Sequence, residues 1–123
     1  MAQVNVAVYG ALGKMGSTVL SAVNENAETI PVAGVDVAAV KDSVLISGSK
    51  NSVPLFPTIE SMLKTTRPDV VVDFSNAEGA LDVFGKCIAE GIKVVSGSTG
   101  LTRKDLDHIS SLSAKHKTGV ISA

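Results

Sequence analysis

The chain has 123 residues, 45% hydrophobic and 19% charged, a composition that predicts one compact domain whose core needs no metal or disulfide staple. A net charge of −1 lacks the basic footprint of a nucleic-acid binder, and a single cysteine excludes an intrachain disulfide framework or a Cys-rich zinc site. No apolar run has the length of a membrane-spanning helix and Met1–Asn5 lacks the basic start of a signal peptide, so the expectation is a soluble, cytoplasmic protein.

Aromatic residues make up only 3% of the chain, so the core must be Val, Ile, Leu and Ala, the composition of sheets covered on both faces. Val4 to Tyr9 alternates as a first strand and breaks at Gly10. Met15, Val19, Ala22 and Val23 then mark the apolar face of a helix from Lys14 to Asn24. Ile30 to Asp36 is a second strand, with Pro31 tolerable only at a strand start or edge. Val37 to Phe56 is the least legible part, and its Ser- and Asn-rich tract from Ser47 to Ser52 reads as a loop.

Thr58 to Thr66 reads as a short helix that Pro68 forbids from continuing. Val70 to Phe74 is the strongest strand signal. A helix follows with Ala77, Ala80, Leu81, Phe84, Cys87 and Ile88 on one face, Ser75 and Glu78 as a capping box, and Gly91 at its stop. Ile92 to Val95 is a fourth strand. Thr102 and Asp105 form a second capping box before a helix faced by Leu106, Ile109 and Leu112. Thr118 to Ser122 is a fifth strand. Five strands joined by four β-α-β crossovers predict an α/β fold, a doubly wound parallel sheet in a single domain over residues 1–123.

Three features carry chemistry. Gly10-Ala11-Leu12-Gly13-Lys14-Met15-Gly16 lies between the first strand and the first helix, a variant of the Rossmann dinucleotide fingerprint. Gly10 makes the tight turn, Gly13 lets the backbone approach a pyrophosphate, and Gly16 lets the helix pack close to the strand. The helix then presents its amides and the positive end of its dipole to the phosphates. Asp36 ends the second strand, where a carboxylate accepts hydrogen bonds from adenosine ribose hydroxyls and repels a 2′-phosphate. No Arg follows it and Lys41 is the nearest cation in sequence, which points to NADH as the preferred cofactor without excluding NADPH.

The third feature pairs Asp73-Phe74-Ser75 with Gly97-Ser98-Thr99-Gly100, the turns after the third and fourth strands. Both can border a ligand at the carboxyl ends of a parallel sheet. Equally, Ser75 merely caps a helix and the glycines merely make a turn, and the residues alone leave these readings level. Cys87 on an apolar helix face reads as a core residue, and His108 and His116 as solvated. No nucleophile–base pair or metal-ligand pattern emerges.

These segments together resemble the 4-hydroxy-tetrahydrodipicolinate (dihydrodipicolinate) reductase family. Its members carry G-x-x-G-R/K-M-G, then a D-F-S/T turn, then a G-T-T-G loop, in this order. The resemblance implies an oxidoreductase of diaminopimelate and lysine biosynthesis that transfers hydride from NADH or NADPH to a cyclic dicarboxylate. It also implies that Gly10, Ala11, Leu12, Gly13, Lys14 and Met15 hold the pyrophosphate and that Asp36 binds the ribose. Phe74, Gly97, Ser98 and Thr99 border the nicotinamide, and Ala123 touches the cofactor. The resemblance implies no catalytic residue here, because the family's His-His-x-x-x-K segment has no counterpart in this sequence. That segment belongs to a second domain, which also builds the family's homotetramer, so the chain reads as a fragment of a two-domain enzyme, inactive alone. Ser98 departs from the family's first loop Thr, and Val37 stands where NADPH-using members can carry Arg. Two other readings remain at this point. One is the first domain of a homoserine- or aspartate-type dehydrogenase; the other is a non-catalytic NAD-binding redox sensor.

Overall fold

The computed structural model describes residues 3–97, 102–116 and 120–122. Seven strands form one sheet: β1 (Val4–Tyr9), β2 (Thr29–Val35), β3 (Ser43–Leu45), β4 (Ser52–Phe56), β5 (Val70–Asp73), β6 (Lys93–Ser96) and β7 (Val120–Ser122). Four helices join them: α1 (Lys14–Glu25), α2 (Ile59–Leu63), α3 (Ala77–Ala89) and α4 (Arg103–His116). The spatial order is β3-β4-β2-β1-β5-β6-β7, all parallel except β3, which runs antiparallel to β4.

The α/β doubly wound expectation holds, and among the described residues there are seven strands in place of the expected five. β3 and β4 arise inside the tract that reads as irregular. Ser43, Ser52 and Pro54 dilute its apolar alternation, yet Val53 and Leu55 face inward and are buried. The polar tract does form the loop, as the six-residue connection of the β3–β4 hairpin, with Gly48 at a φ of +77°. Pro31 sits third in β2 at an irregularity, where Val6 pairs with Pro31 and Ala7 already pairs with Ala33. β4 pairs with only Gly34 and Val35, so the outer edge of β2 beside Pro31 carries no ladder that the missing N–H would break.

The core has two layers. One packs α3 against the sheet through Ala80, Val83, Phe84, Cys87 and Ile88, joined by Val71, Val94 and Ile109. The other packs α1 through Leu20 against Val8, Ala11, Val53 and Leu55. The buried face of α1 is therefore Gly16 and Leu20, one position away from the expected stripe, and Met15 is exposed. The cause is the glycine: a Cβ at Gly16 would lie 1.9 Å from the Gly10 carbonyl oxygen, so the helix lies closest to β1 there.

Two helix starts differ in their outcome. At α4 the expected box forms, with the Thr102 amide donating to Asp105 Oδ2 at 3.0 Å and the Asp105 amide to Thr102 Oγ1 at 3.1 Å. At α3 the cap is Asn76 in place of Ser75, its Oδ1 accepting from the Gly79 amide at 2.8 Å. Ser75 is diverted to Asp73. Cys87 is buried as expected, and burial pushes its thiol up to about 12.

Candidate functional site

The chain runs from β1 to β2 on one side of the sheet, and β5 continues on the other side of β1. Between the carboxyl ends of β1 and β5 the helices therefore diverge, the place where sheets of this kind bind ligands. A cleft of about 710 Å³ opens there, lined by Tyr9, Gly10, Gly13, Asp36, Val37, Phe74 and the opening residues of α3.

Gly10 turns the chain out of β1 at a φ of +86°, a conformation that L side chains rarely adopt. Its amide and that of Ala11 donate to the Val35 carbonyl, at 2.8 and 3.2 Å, tying the turn to the end of β2. The Leu12 amide donates to Asp36 Oδ2 at 3.0 Å, while the Ala38 amide donates to Oδ1 at 2.9 Å. The Gly13 amide donates to the Gly10 carbonyl at 3.1 Å. Four loop amides are thus spent inside the protein, and three of these bonds end on β2 and Asp36. Each Asp36 oxygen keeps acceptor capacity beyond its one backbone bond.

The amides of Lys14, Met15 and Gly16 in the first turn of α1 have no partner within the helix, as in the first turn of any helix unless a cap intervenes. None does. Gly13 is the N-cap without a side-chain bond, and the first turn holds no acidic residue. By contrast α2, α3 and α4 open with Thr58, Asn76 and Thr102 as caps and with Glu60, Glu78 and Asp105 in their first turns. Gly13 has an ordinary φ of −75°, and a Cβ there would meet protein only at the Gly10 oxygen, 3.3 Å away. Neither backbone strain nor core packing demands glycine at this position, and a side chain would enter the cleft.

The other end of the site is built on a buried carboxylate. Asp73 is inaccessible to solvent and accepts from the Ser75 amide at 2.9 Å, Ser75 Oγ at 2.6 Å and Ser96 Oγ at 2.9 Å. These bonds lock the turn after β5 to the end of β6. The Gly97 amide donates to the Asp73 carbonyl at 2.9 Å, and a Cβ at Gly97 would fall 2.3 Å from Phe74 Cε1. Gly97 therefore leaves room for the Phe74 ring just past the end of β6, and Phe74 lines the cleft.

Of the expected site residues, Gly10, Gly13, Asp36 and Phe74 line one cleft. Leu12, Lys14, Met15 and Gly97 adjoin these residues in the chain without lining the cleft, and the side chain of Ala11 is buried in the core with Leu20. Ser98, Thr99 and Ala123 lie outside the described residues. Sequence reasoning missed Tyr9, Val37, Asn76, Gly79, Asp82 and the exposed role of Glu78 in the cleft wall. The i,i+4 spacing of Glu78 and Asp82 was the available signal. Among the described residues no group of three or more His, Cys, Asp or Glu could hold a metal ion, and no helix is long and apolar enough to cross a membrane.

The sequence pattern of the family described as dihydrodipicolinate reductase, N-terminus, matches residues 4–123. The chain belongs to that family. It is 31% identical over 123 residues to a 4-hydroxy-tetrahydrodipicolinate reductase of Dehalococcoides mccartyi, covering 100% of this chain and 47% of the relative. Among solved structures it is similar to a dipicolinate-bound dihydrodipicolinate reductase from Paenisporosarcina sp. TG-14, with a TM-score of 0.82, 31% identity and coverage of 98% and 47%. A WlbA dehydrogenase from Chromobacterium violaceum, solved with NADH and UDP-GlcNAcA, shares the fold at a TM-score of 0.80 and 15% identity, over 100% of this chain and 35% of that one. The chain spans about half the length of the curated relatives it matches.

Proposed function

We propose that this chain is the nucleotide-binding part of a 4-hydroxy-tetrahydrodipicolinate reductase and that it holds NADH in preference to NADPH. The observation that carries the reading is the uncapped start of α1 at a glycine turn braced by Asp36. A side chain at Gly13 would enter that cradle, which fits a diphosphate approaching the backbone closely. The amides of Lys14, Met15 and Gly16 and the α1 dipole hold the pyrophosphate. The carboxylate of Asp36, oriented by the Leu12 and Ala38 amides, accepts the adenosine ribose hydroxyls. Phe74, held by Gly97, borders the nicotinamide together with Ser98 and Thr99, and Ala123 touches the cofactor. When bound, the cofactor supplies the hydride.

The family match over residues 4–123 favours this reading over the homoserine- or aspartate-dehydrogenase and redox-sensor alternatives. Among the described residues the cleft wall holds no His or Lys to protonate a substrate. We assign substrate protonation, dicarboxylate binding and tetramer contacts to a second domain, as in the family's His-His-x-x-x-K segment. The full enzyme then acts in diaminopimelate and lysine biosynthesis, a cytoplasmic role. The test is titration of the 123-residue chain with NADH and assay with the dicarboxylate substrate. Saturable NADH binding without turnover is expected; absence of binding, or steady turnover, overturns the assignment.

A further inference from the structure

We propose that Glu78 and Asp82 on α3 discriminate against a 2′-phosphate together with Asp36, so that the preference for NADH over NADPH is set on α3 as well as at the end of β2. The inference rests on the nucleotide-binding reading above and adds a second wall to the same site. Glu78 and Asp82 are one helical turn apart, and both line the cleft that Asp36 lines from the other side.

Their placement is fixed by Gly79. A Cβ there would fall 2.3 Å from Ser75 Oγ and 3.1 Å from Tyr9 Cε1, so the first turn of α3 is pressed onto β1 and the β5 turn. Asn76 caps the same turn. The carboxylates are therefore carried on a rigid element at the cleft wall.

No cation balances them inside the cleft, since its lining among the described residues contains no Lys, Arg or His. Lys86 lies one turn beyond Asp82 and pairs with it at 2.5 Å, but it also pairs with Glu60 at 2.8 Å. Two carboxylates share one ammonium, and the trio keeps a net charge of −1. Tyr9, which lines the same cleft, reports the Asp82 side of this field, though not Glu78. Its hydroxyl is held above the ordinary range first by burial, then by the charges of Asp82 and Asp73 and lastly Asp36, with only Lys86 opposing. A diphosphate escapes this field because the α1 amides and dipole receive it. Among the described residues that line the cleft, a 2′-phosphate beside the ribose meets no cation, only Asp36 and the α3 carboxylates.

Charges about 10 Å apart in water-like surroundings, with a phosphate of about −1.5 to −2, give a two- to fourfold effect on affinity per carboxylate, roughly. Calorimetric titration with NADH and NADPH at low ionic strength reads it as the ratio of the two affinities. Glu78→Gln and Asp82→Asn are each expected to raise the NADPH-to-NADH affinity ratio about two- to fourfold, and the double variant about tenfold. Lys86→Gln is expected to lower the ratio, because it removes the ammonium that pairs with Asp82. Glu28→Gln, at the far end of β2, leaves it unchanged. High salt shrinks all of these differences.

A double variant that keeps its NADH affinity and its circular dichroism but shows the parent's ratio overturns the α3 wall and leaves the binding reading standing. A parent chain that binds no NADH overturns the reading beneath it. Should Asp82→Asn disturb the fold, Glu78→Gln and Lys86→Gln still decide, since the proposal requires them to move the ratio in opposite directions.

Discussion

One substitution, glycine to alanine, has three different expected effects in this chain, each set by what an added Cβ would meet. At Gly16 the Cβ would lie 1.9 Å from the Gly10 oxygen, 2.7 Å from its carbonyl carbon and 3.0 Å from the Ala11 Cα. All three are backbone atoms, and Gly10 is anchored to Val35 at 2.8 Å, so neither side yields cheaply. α1 must withdraw by about 1 Å and loosen Leu20 from Val8 and Val53. Overpacking of this kind costs about 1–3 kcal/mol, against about 0.4–1 kcal/mol regained from the less flexible unfolded chain. A net loss of about 1–2 kcal/mol lowers the melting midpoint by roughly 5–10 °C.

At Gly85, in the exposed interior of α3 with nothing within 4 Å, the same change should stabilise by about 0.5–1 kcal/mol through helix propensity alone. At Gly13 the chain should stay within about 1 kcal/mol of the parent and lose only ligand affinity. Urea melts of the three variants followed by circular dichroism provide the comparison. A Gly16→Ala protein as stable as Gly85→Ala would refute the close approach of α1 to β1.

Asp36→Ala should weaken NADH by tenfold or more, from the loss of charge-assisted bonds worth about 1.5–3 kcal/mol, and weaken NADPH less. Equal losses for the two nucleotides would remove the ribose role. The Cys87 thiol, pushed up to about 12 from an ordinary 9.0, should resist thiol reagents at neutral pH until the protein unfolds. A folded-state rise favours the neutral form, so stability is full below pH 9 and falls as pH climbs from 9 toward 12; Cys87→Ala should flatten that part of the curve. Gly97→Ala would press on the Phe74 ring, and it should perturb cofactor binding at the nicotinamide end while leaving α1 intact, visible as a shift in bound-NADH fluorescence.

What the sequence made legible was local. β1, α1, β5 and the Thr102 box follow from short-range periodicity and hydroxyl–carboxylate spacing, and the glycines of the first loop follow from the strand-to-helix position they occupy. β3 and β4 were not legible because they are short strands at one side of the sheet, β3 at its edge, whose pairing, Ser43 with Pro54 and Leu45 with Ser52, is decided by the hairpin and not by alternation. The cap of α3 moved to Asn76 because Asp73 captures both the amide and hydroxyl of Ser75. In the site, Gly10, Gly13 and Asp36 announce themselves by spacing. Tyr9, Glu78 and Asp82 do not, because only the crossover from β5 brings α3 opposite the end of β2.

Calorimetric titration of NADH into the parent and into Gly13→Val tests the pyrophosphate cradle at α1 most directly. The backbone at Gly13 accepts a branched residue, and its Cβ would meet protein only at the Gly10 oxygen, so the variant should fold. The parent should bind NADH saturably, and folded Gly13→Val should give no binding heat. A folded Gly13→Val that titrates like the parent would contradict the placement of the cofactor at the start of α1.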